Sequence, residues 1–131
     1  MMKLRYLPIL VLLYLVPSVA AAGPIEKIAE LIKQGNAHGL AAYFPSTIDI
    51  AVLDNSNAYS KTQAEMVLQK FFDDHKPVSV KLLHRINSNP NYKFGVLILN
   101  TDKGKFRVSF TIKESGADVS VMELRIETEK T

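Results

Sequence analysis

Three histidines are the side chains of this 131-residue chain best suited to metal or proton chemistry, and there is no cysteine. His38, His75 and His84 lie far apart, without the i, i+4 spacing typical of metal ligands. The sequence therefore predicts no metal site and no disulfide. It also lacks a glycine-rich phosphate loop and a nucleophile motif, so no cofactor is expected.

His84 is the histidine that lies in an alternating apolar segment, which predicts a place on the core side of a strand. A histidine there can bond a backbone carbonyl, contact a ligand or act as a general base. A dyad with Asp49 is not expected, because alternation points Asp49 away from Ile48 and Ile50. We therefore expect no catalytic residue and interpret His84 as structural or ligand-contacting.

Two helices are predicted near the start of the chain. The first begins at Pro24, has apolar residues at i, i+3, i+4 and i+7, and stops at Gly35. Asn36 can cap a short second helix that Pro45 ends. A strand then follows over residues 48–53, and Asn55-Ser56-Asn57 predicts a turn.

A third helix should start at Ser60, because Ser60 and Gln63 form a capping box, and it should end before Pro77. It carries Phe71 and Phe72, the heaviest apolar load outside the strands, which we expect in the core. Four strands are then predicted in a row, at residues 78–86, 92–100, 106–112 and 119–127, separated by hairpin loops.

Alternation divides the side chains of these four strands between two faces. The predicted core face holds Val78, Val80, Leu82, His84, Ile86, Phe94, Val96, Ile98, Phe106, Val108, Phe110, Ile112, Met122, Leu124 and Ile126. The predicted outer face is rich in lysine, arginine and glutamate, but it also holds Leu83, Leu97, Leu99, Val119 and Val121. An apolar patch among charges usually marks an interface, so these five residues predict a homodimer.

The N-terminus has the three zones of a secretory signal peptide: Lys3 and Arg5, an apolar run from Tyr6 to Val16, and small residues at 18–22. We expect residues 1–22 to be removed, leaving one domain over 23–131 and an exported, soluble protein in the periplasm or beyond. Without the two basic residues of the signal, 16 − 2 = 14 basic residues balance 13 acidic ones. That balance argues against a nucleic-acid partner.

The order of these elements resembles the nuclear-transport-factor-2-like, or cystatin-like, fold, in which a bent antiparallel sheet forms a cone over helices. Four segments, 83–86, 92–96, 100–108 and 124–127, are also similar to a family of exported bacterial proteins with no assigned function. The resemblance implies an α+β fold and supplies no catalytic residues. Proteins of this fold commonly dimerise through the outer face of the sheet.

Two functions remain open. The first is a noncatalytic domain that binds a small apolar ligand in a pocket between sheet and helices, or that binds an envelope protein. The candidate pocket residues are Tyr43, Tyr59, Phe71, His84, Phe94 and Phe110. The alternative is an enzyme similar to the ketosteroid isomerases and dehydratases of this superfamily, using His84. We favour the binding protein, because proton transfer from carbon needs a donor beside the base and none is evident.

Overall fold

A computed structural model describes residues 23–87 and 89–130. The predicted signal peptide, residues 1–22, lies outside the described residues. Within them, every helix is too short or too polar to cross a bilayer.

Three helices form as the sequence predicts, and local contacts explain where each begins. Helix α1 spans Pro24–Lys33, and the side chain of Glu26 accepts a hydrogen bond from the Gly23 amide at 3.1 Å. Helix α2 spans Ala37–Ala41, with Asn36 Oδ1 accepting from the Gly39 amide at 2.8 Å. Helix α3 spans Lys61–Asp74.

The predicted capping box at the start of α3 is confirmed. Ser60 Oγ accepts from the Gln63 amide at 3.2 Å, and Gln63 Oε1 accepts from the Ser60 amide at 3.3 Å. These bonds satisfy backbone donors that have no partner inside the first turn.

Six strands form one curved sheet in the order β2-β1-β6-β5-β4-β3. Strands β1 and β2 span Thr47–Val52 and Asn55–Ser60, and the meander comprises β3 Pro77–Ile86, β4 Tyr92–Thr101, β5 Gly104–Ser115 and β6 Asp118–Thr128. All neighbours are antiparallel except β1 and β6, which are parallel. Element order and sheet confirm the predicted α+β architecture.

The helices cover one face of the sheet, which we call the inner face, and the space between is filled with apolar side chains. Phe71 and Phe72 of α3 are each 4% exposed, as predicted. Close packing also extends under α1, where a Cβ on Gly95 would lie 2.7 Å from Phe110 Cζ. Glycine at this position of β4 lets the Phe110 ring approach the strand backbone.

The predicted faces of β4 were wrong. Leu97 and Leu99, assigned to the outer face, are fully buried against the helices, opposite Val108 and Phe106 of β5. Phe94, Val96 and Ile98, assigned to the core, therefore lie on the outer face. Almost every residue from Phe94 to Leu99 is apolar, so alternation offers no contrast, and only pairing with β5 sets the register.

Two irregularities reverse the predicted faces in parts of β3 and β6. The pairing skips Leu83, with Leu82 opposite Leu97 and His84 opposite Val96. It also skips Met122, so that Val121 pairs with Ile112 and is fully buried. An extra residue shifts the period of two by one, so the predicted faces are reversed after the skipped residue in β3 and before it in β6. His84 and Ile86 consequently lie exposed on the outer face, and the predicted core position of Met122 was wrong.

The predicted turn at Asn55-Ser56-Asn57 was also wrong. These residues belong to β2, and the turn is formed by Leu53 and Asp54, with Val52 paired to Asn55. Val78, predicted in the core, is 65% exposed next to a register shift at the start of β3.

Candidate ligand-binding cleft

A cleft of about 280 Å³ lies between helix α3 and the turn that joins β1 to β2, and we call it the hairpin cleft. Its apolar lining comes from Val52 and Leu53 on the hairpin and from Val67 and Phe71 on the helix, with the Tyr59 ring beside them. Its polar lining comes from Asn55, Lys70, Asp74 and His75. An apolar body with a few polar groups is the usual composition of a small-molecule site.

Leu53 holds an uncommon backbone conformation at the edge of the hairpin cleft. Its φ is +55°, and it is the first residue of a two-residue hairpin turn, where glycine is the preferred residue. The left-handed region costs a non-glycine residue about 1–2 kcal/mol. The Leu53 amide donates to the Ile126 carbonyl at 2.9 Å, and the side chain is 43% exposed. A strained, exposed leucine lining a cleft is the kind of outlier that suggests function.

Opposite charges lie together at the rim of the hairpin cleft. Lys70 Nζ lies 3.5 Å from Asp74 Oδ2, and both side chains are mostly exposed. An exposed pair of this type adds little stability. Because the two charges offset each other, the rim does not favour an ionic ligand of either sign.

The six predicted pocket residues do not share one pocket. Tyr59 and Phe71 line the hairpin cleft, and Tyr43 lines a separate cleft of about 380 Å³ beside α1. Phe110 is 1% exposed within the filled core. His84 and Phe94 lie on the outer face of the sheet. A binding site between sheet and helices is therefore confined to the margins of the core.

The second cleft lies between the first turn of α1 and the turn joining β5 to β6. Pro24, Ile28, Tyr43 and Val119 form its apolar wall, and Gly23 forms one end. Gly23 is also the first described residue. All the walls of the hairpin cleft, by contrast, lie well inside the described residues.

The residues considered for proton transfer are widely separated. Asp49 and His84 both lie on the outer face, but β1 and β3 are separated by β6, β5 and β4. Four strand spacings place them about 19 Å apart. His38 is exposed, with Nδ1 3.2 Å from Glu65 Oε2. Among the described residues, no three His, Asp or Glu side chains are placed to hold a metal ion.

The outer face carries an apolar patch different from the predicted one. Leu97, Leu99 and Val121 are buried in the core of their own chain, Val119 packs against that core, and Leu83 is half-buried at its bulge. The first three are therefore unavailable for an interface. Instead, adjacent outer positions of β3 and β4 hold what we call the outer patch, which comprises Ile86, Phe94 and Ile98 around Val96, itself only 7% exposed.

Sequence reasoning missed His75 as a site residue, because it considered His75 only as a possible metal ligand. Leu53 was missed too, because leucine is not a turn residue. The sequence shows that the helix ends near Asp74, before Pro77. It does not show that His75 packs against two phenylalanines, because that packing requires β5 to lie beneath the helix.

Comparison with solved structures confirms the predicted fold. A DUF4783 family protein from Bacteroides uniformis is 25% identical with a TM-score of 0.76, over 83% of this chain and 100% of that one. One from Bacteroides ovatus is 21% identical with a TM-score of 0.73, over 79% and 94%. A domain of unknown function with a cystatin-like fold from Nostoc punctiforme has a TM-score of 0.60 at 13% identity, over 79% and 71%.

A designed protein named Rd1NTF2_04 with long sheet is also similar, with a TM-score of 0.63 at 14% identity over 77% of this chain and 94% of that one. No curated protein matches the chain. A family profile described as a domain of unknown function, DUF4783, matches residues 25–127, which include every residue that lines the hairpin cleft. The chain therefore belongs to the DUF4783 family and has the nuclear-transport-factor-2-like, or cystatin-like, fold.

Proposed function

We propose that this protein is a noncatalytic binding domain of the cell envelope, exported by its signal peptide, and that the hairpin cleft holds a small, mainly apolar ligand. The observation that carries this proposal is the lining of the cleft. Val52, Leu53 and Val67 present apolar surface to a solvent-accessible space of about 280 Å³. Apolar surface left unfilled beside a packed core favours an apolar occupant.

The composition of the core supports a noncatalytic role. Over residues 23–87 and 89–130 no polar or charged residue is buried. An isomerase of this superfamily would need a base and a hydrogen-bond donor in a pocket under the sheet. His84, the candidate base, lies exposed on the opposite face.

The proposal predicts that 1-methylindole, a rigid two-ring compound without a hydrogen-bond donor, binds in the hairpin cleft. Its ten non-hydrogen atoms at about 0.4 kcal/mol each correspond to a Kd on the order of 1 mM. Val67→Lys puts an ammonium group at the apolar wall and should weaken binding at least about tenfold. Binding is followed by amide chemical shifts in two-dimensional NMR.

Met66→Lys is the matched control, because Met66 adjoins Val67 on α3 but is 66% exposed and does not line the cleft. It should leave the affinity unchanged. Shifts centred on Val52, Tyr59 and Phe71 support the site. Shifts centred on Gly23 and Val119, or equal loss in both variants, would contradict it.

A second proposal concerns the outer patch, which we infer binds a second copy of the chain. Ile86 in this patch is 48% exposed, and Phe94 and Ile98 are half-buried. Charged residues of both signs, including Lys81 on β3 and Glu123 on β6, lie on the rest of this face. A two-fold dimer in which the patch of one copy packs on the same patch of the other would bury these apolar side chains together.

Sedimentation at micromolar concentration should accordingly give a dimer for the wild-type protein. Ile98→Lys should give a folded monomer, because an ammonium group would be desolvated at the centre of the interface. A wild-type monomer across the whole concentration range would remove the proposal, as would an Ile98→Lys dimer of unchanged affinity.

A further inference from the structure

His75 holds a fixed position at the end of α3, against the wall of the hairpin cleft. Its ring stacks on Phe71 with the centroids 4.4 Å apart, and its edge faces Phe106 at 5.1 Å. Its Nδ1 atom lies 3.0 Å from the Phe71 carbonyl oxygen. Two aromatic contacts and one hydrogen bond therefore hold the imidazole in a single orientation.

This hydrogen bond determines which ring nitrogen can bind a ligand. A carbonyl oxygen only accepts, so Nδ1 must carry the hydrogen. The other nitrogen, Nε2, is then an acceptor in the neutral ring, and it makes no hydrogen bond to the described part of the chain. His75 is half-buried and lines the hairpin cleft, so it contributes a preorganised acceptor to that site.

The rest of the cleft limits the shape and charge of the ligand. A space of about 280 Å³ is at the lower end of ligand sites, which suits one or two rings better than a larger molecule. The half-buried Tyr59 ring offers aromatic surface to a flat ring. The opposed charges of Lys70 and Asp74 favour a ligand without net charge.

We propose that the hairpin cleft recognises a neutral, planar compound of one or two rings whose N–H or O–H group donates a hydrogen bond to Nε2 of His75. This inference rests on the proposed function, since it names the class of ligand for the same cleft. It adds a requirement that the apolar lining alone does not impose. Compounds with the donor should bind better than the same compounds with the donor methylated.

The test compares indole, which has an N–H donor, with 1-methylindole, which has none. The wild-type protein should bind indole about fivefold more tightly, as one neutral hydrogen bond allows. In His75→Phe the aromatic stacking is kept and the acceptor is removed, so the two affinities should become equal. His38→Phe, at an exposed histidine bound to Glu65, should keep the preference.

The ¹⁵N chemical shift of His75 Nε2 provides a second readout that does not depend on a variant. It should move on titration with indole and stay in place with 1-methylindole. Equal affinities in the wild type, or an Nε2 shift that is the same with both probes, would overturn the inference and leave the proposed function standing. Failure of both probes to bind the cleft would remove the proposed function as well.

Discussion

Leu97→Lys should unfold this protein, whereas Ile98→Lys should leave it folded. Leu97 is fully buried in the core, opposite Val108 of β5. Lysine there loses the apolar contacts of leucine and places an ammonium group where no buried polar partner is found among the described residues. The penalty of several kcal/mol for a buried, unpaired charge is comparable with the total stability of a small domain, about 5–15 kcal/mol.

Circular dichroism and urea denaturation measure the outcome. We expect Leu97→Lys to lose the cooperative unfolding transition at 25 °C, and we expect Ile98→Lys to keep it with a midpoint close to the wild type. The two residues are adjacent in β4 and receive the same substitution, so the comparison isolates the face on which each lies. A folded, monomeric Leu97→Lys protein would mean that β4 has the opposite register.

Phe71→Ala should reduce the free energy of unfolding by about 3–5 kcal/mol. Phe71 is 4% exposed, and its ring makes edge contacts with Phe72 at 5.9 Å and Phe106 at 5.1 Å in addition to the stack on His75. Removing it leaves a cavity where α3 meets β5, and the surrounding strands can close it only in part. At about 4–8 °C per kcal/mol, the Tm should fall by at least about 12 °C.

Met66→Ala on the same helix serves as the control. Met66 is 66% exposed, so its truncation should change the free energy of unfolding by less than about 0.5 kcal/mol. Differential scanning calorimetry of both variants gives the comparison. An unchanged Tm for Phe71→Ala would show that α3 does not cover the sheet.

Local signals in the sequence predicted most of the elements. The caps at Asn36 and at Ser60 with Gln63 act within four residues, so they work in the same way whatever the rest of the chain does. In β5, polar and apolar residues alternate, and the predicted inner face of Phe106, Val108, Phe110 and Ile112 is correct. Alternation predicts which side chains face the core only where neighbouring residues differ in polarity.

The candidate site was predicted only in part. Tyr59 and Phe71 were identified because they are large aromatic residues near the helix and the first strand. Leu53 and His75 were not, since their roles depend on a strained turn and on a ring packed across from β5. Neither feature has a local sequence signal.

The order of helices and strands, the caps and the face of β5 were determined by the amino-acid sequence through interactions between near neighbours. The face of β4, the bulges at Leu83 and Met122, and the turn at Leu53 were decided by the tertiary structure. Strand pairing selects among registers that a uniformly apolar segment leaves equivalent, and one skipped residue reverses every side chain beyond it. For that reason His84 lies on the same face as the outer patch. The hairpin cleft likewise needs the tertiary structure, because its lining residues are up to 23 positions apart in the chain, from Val52 to His75.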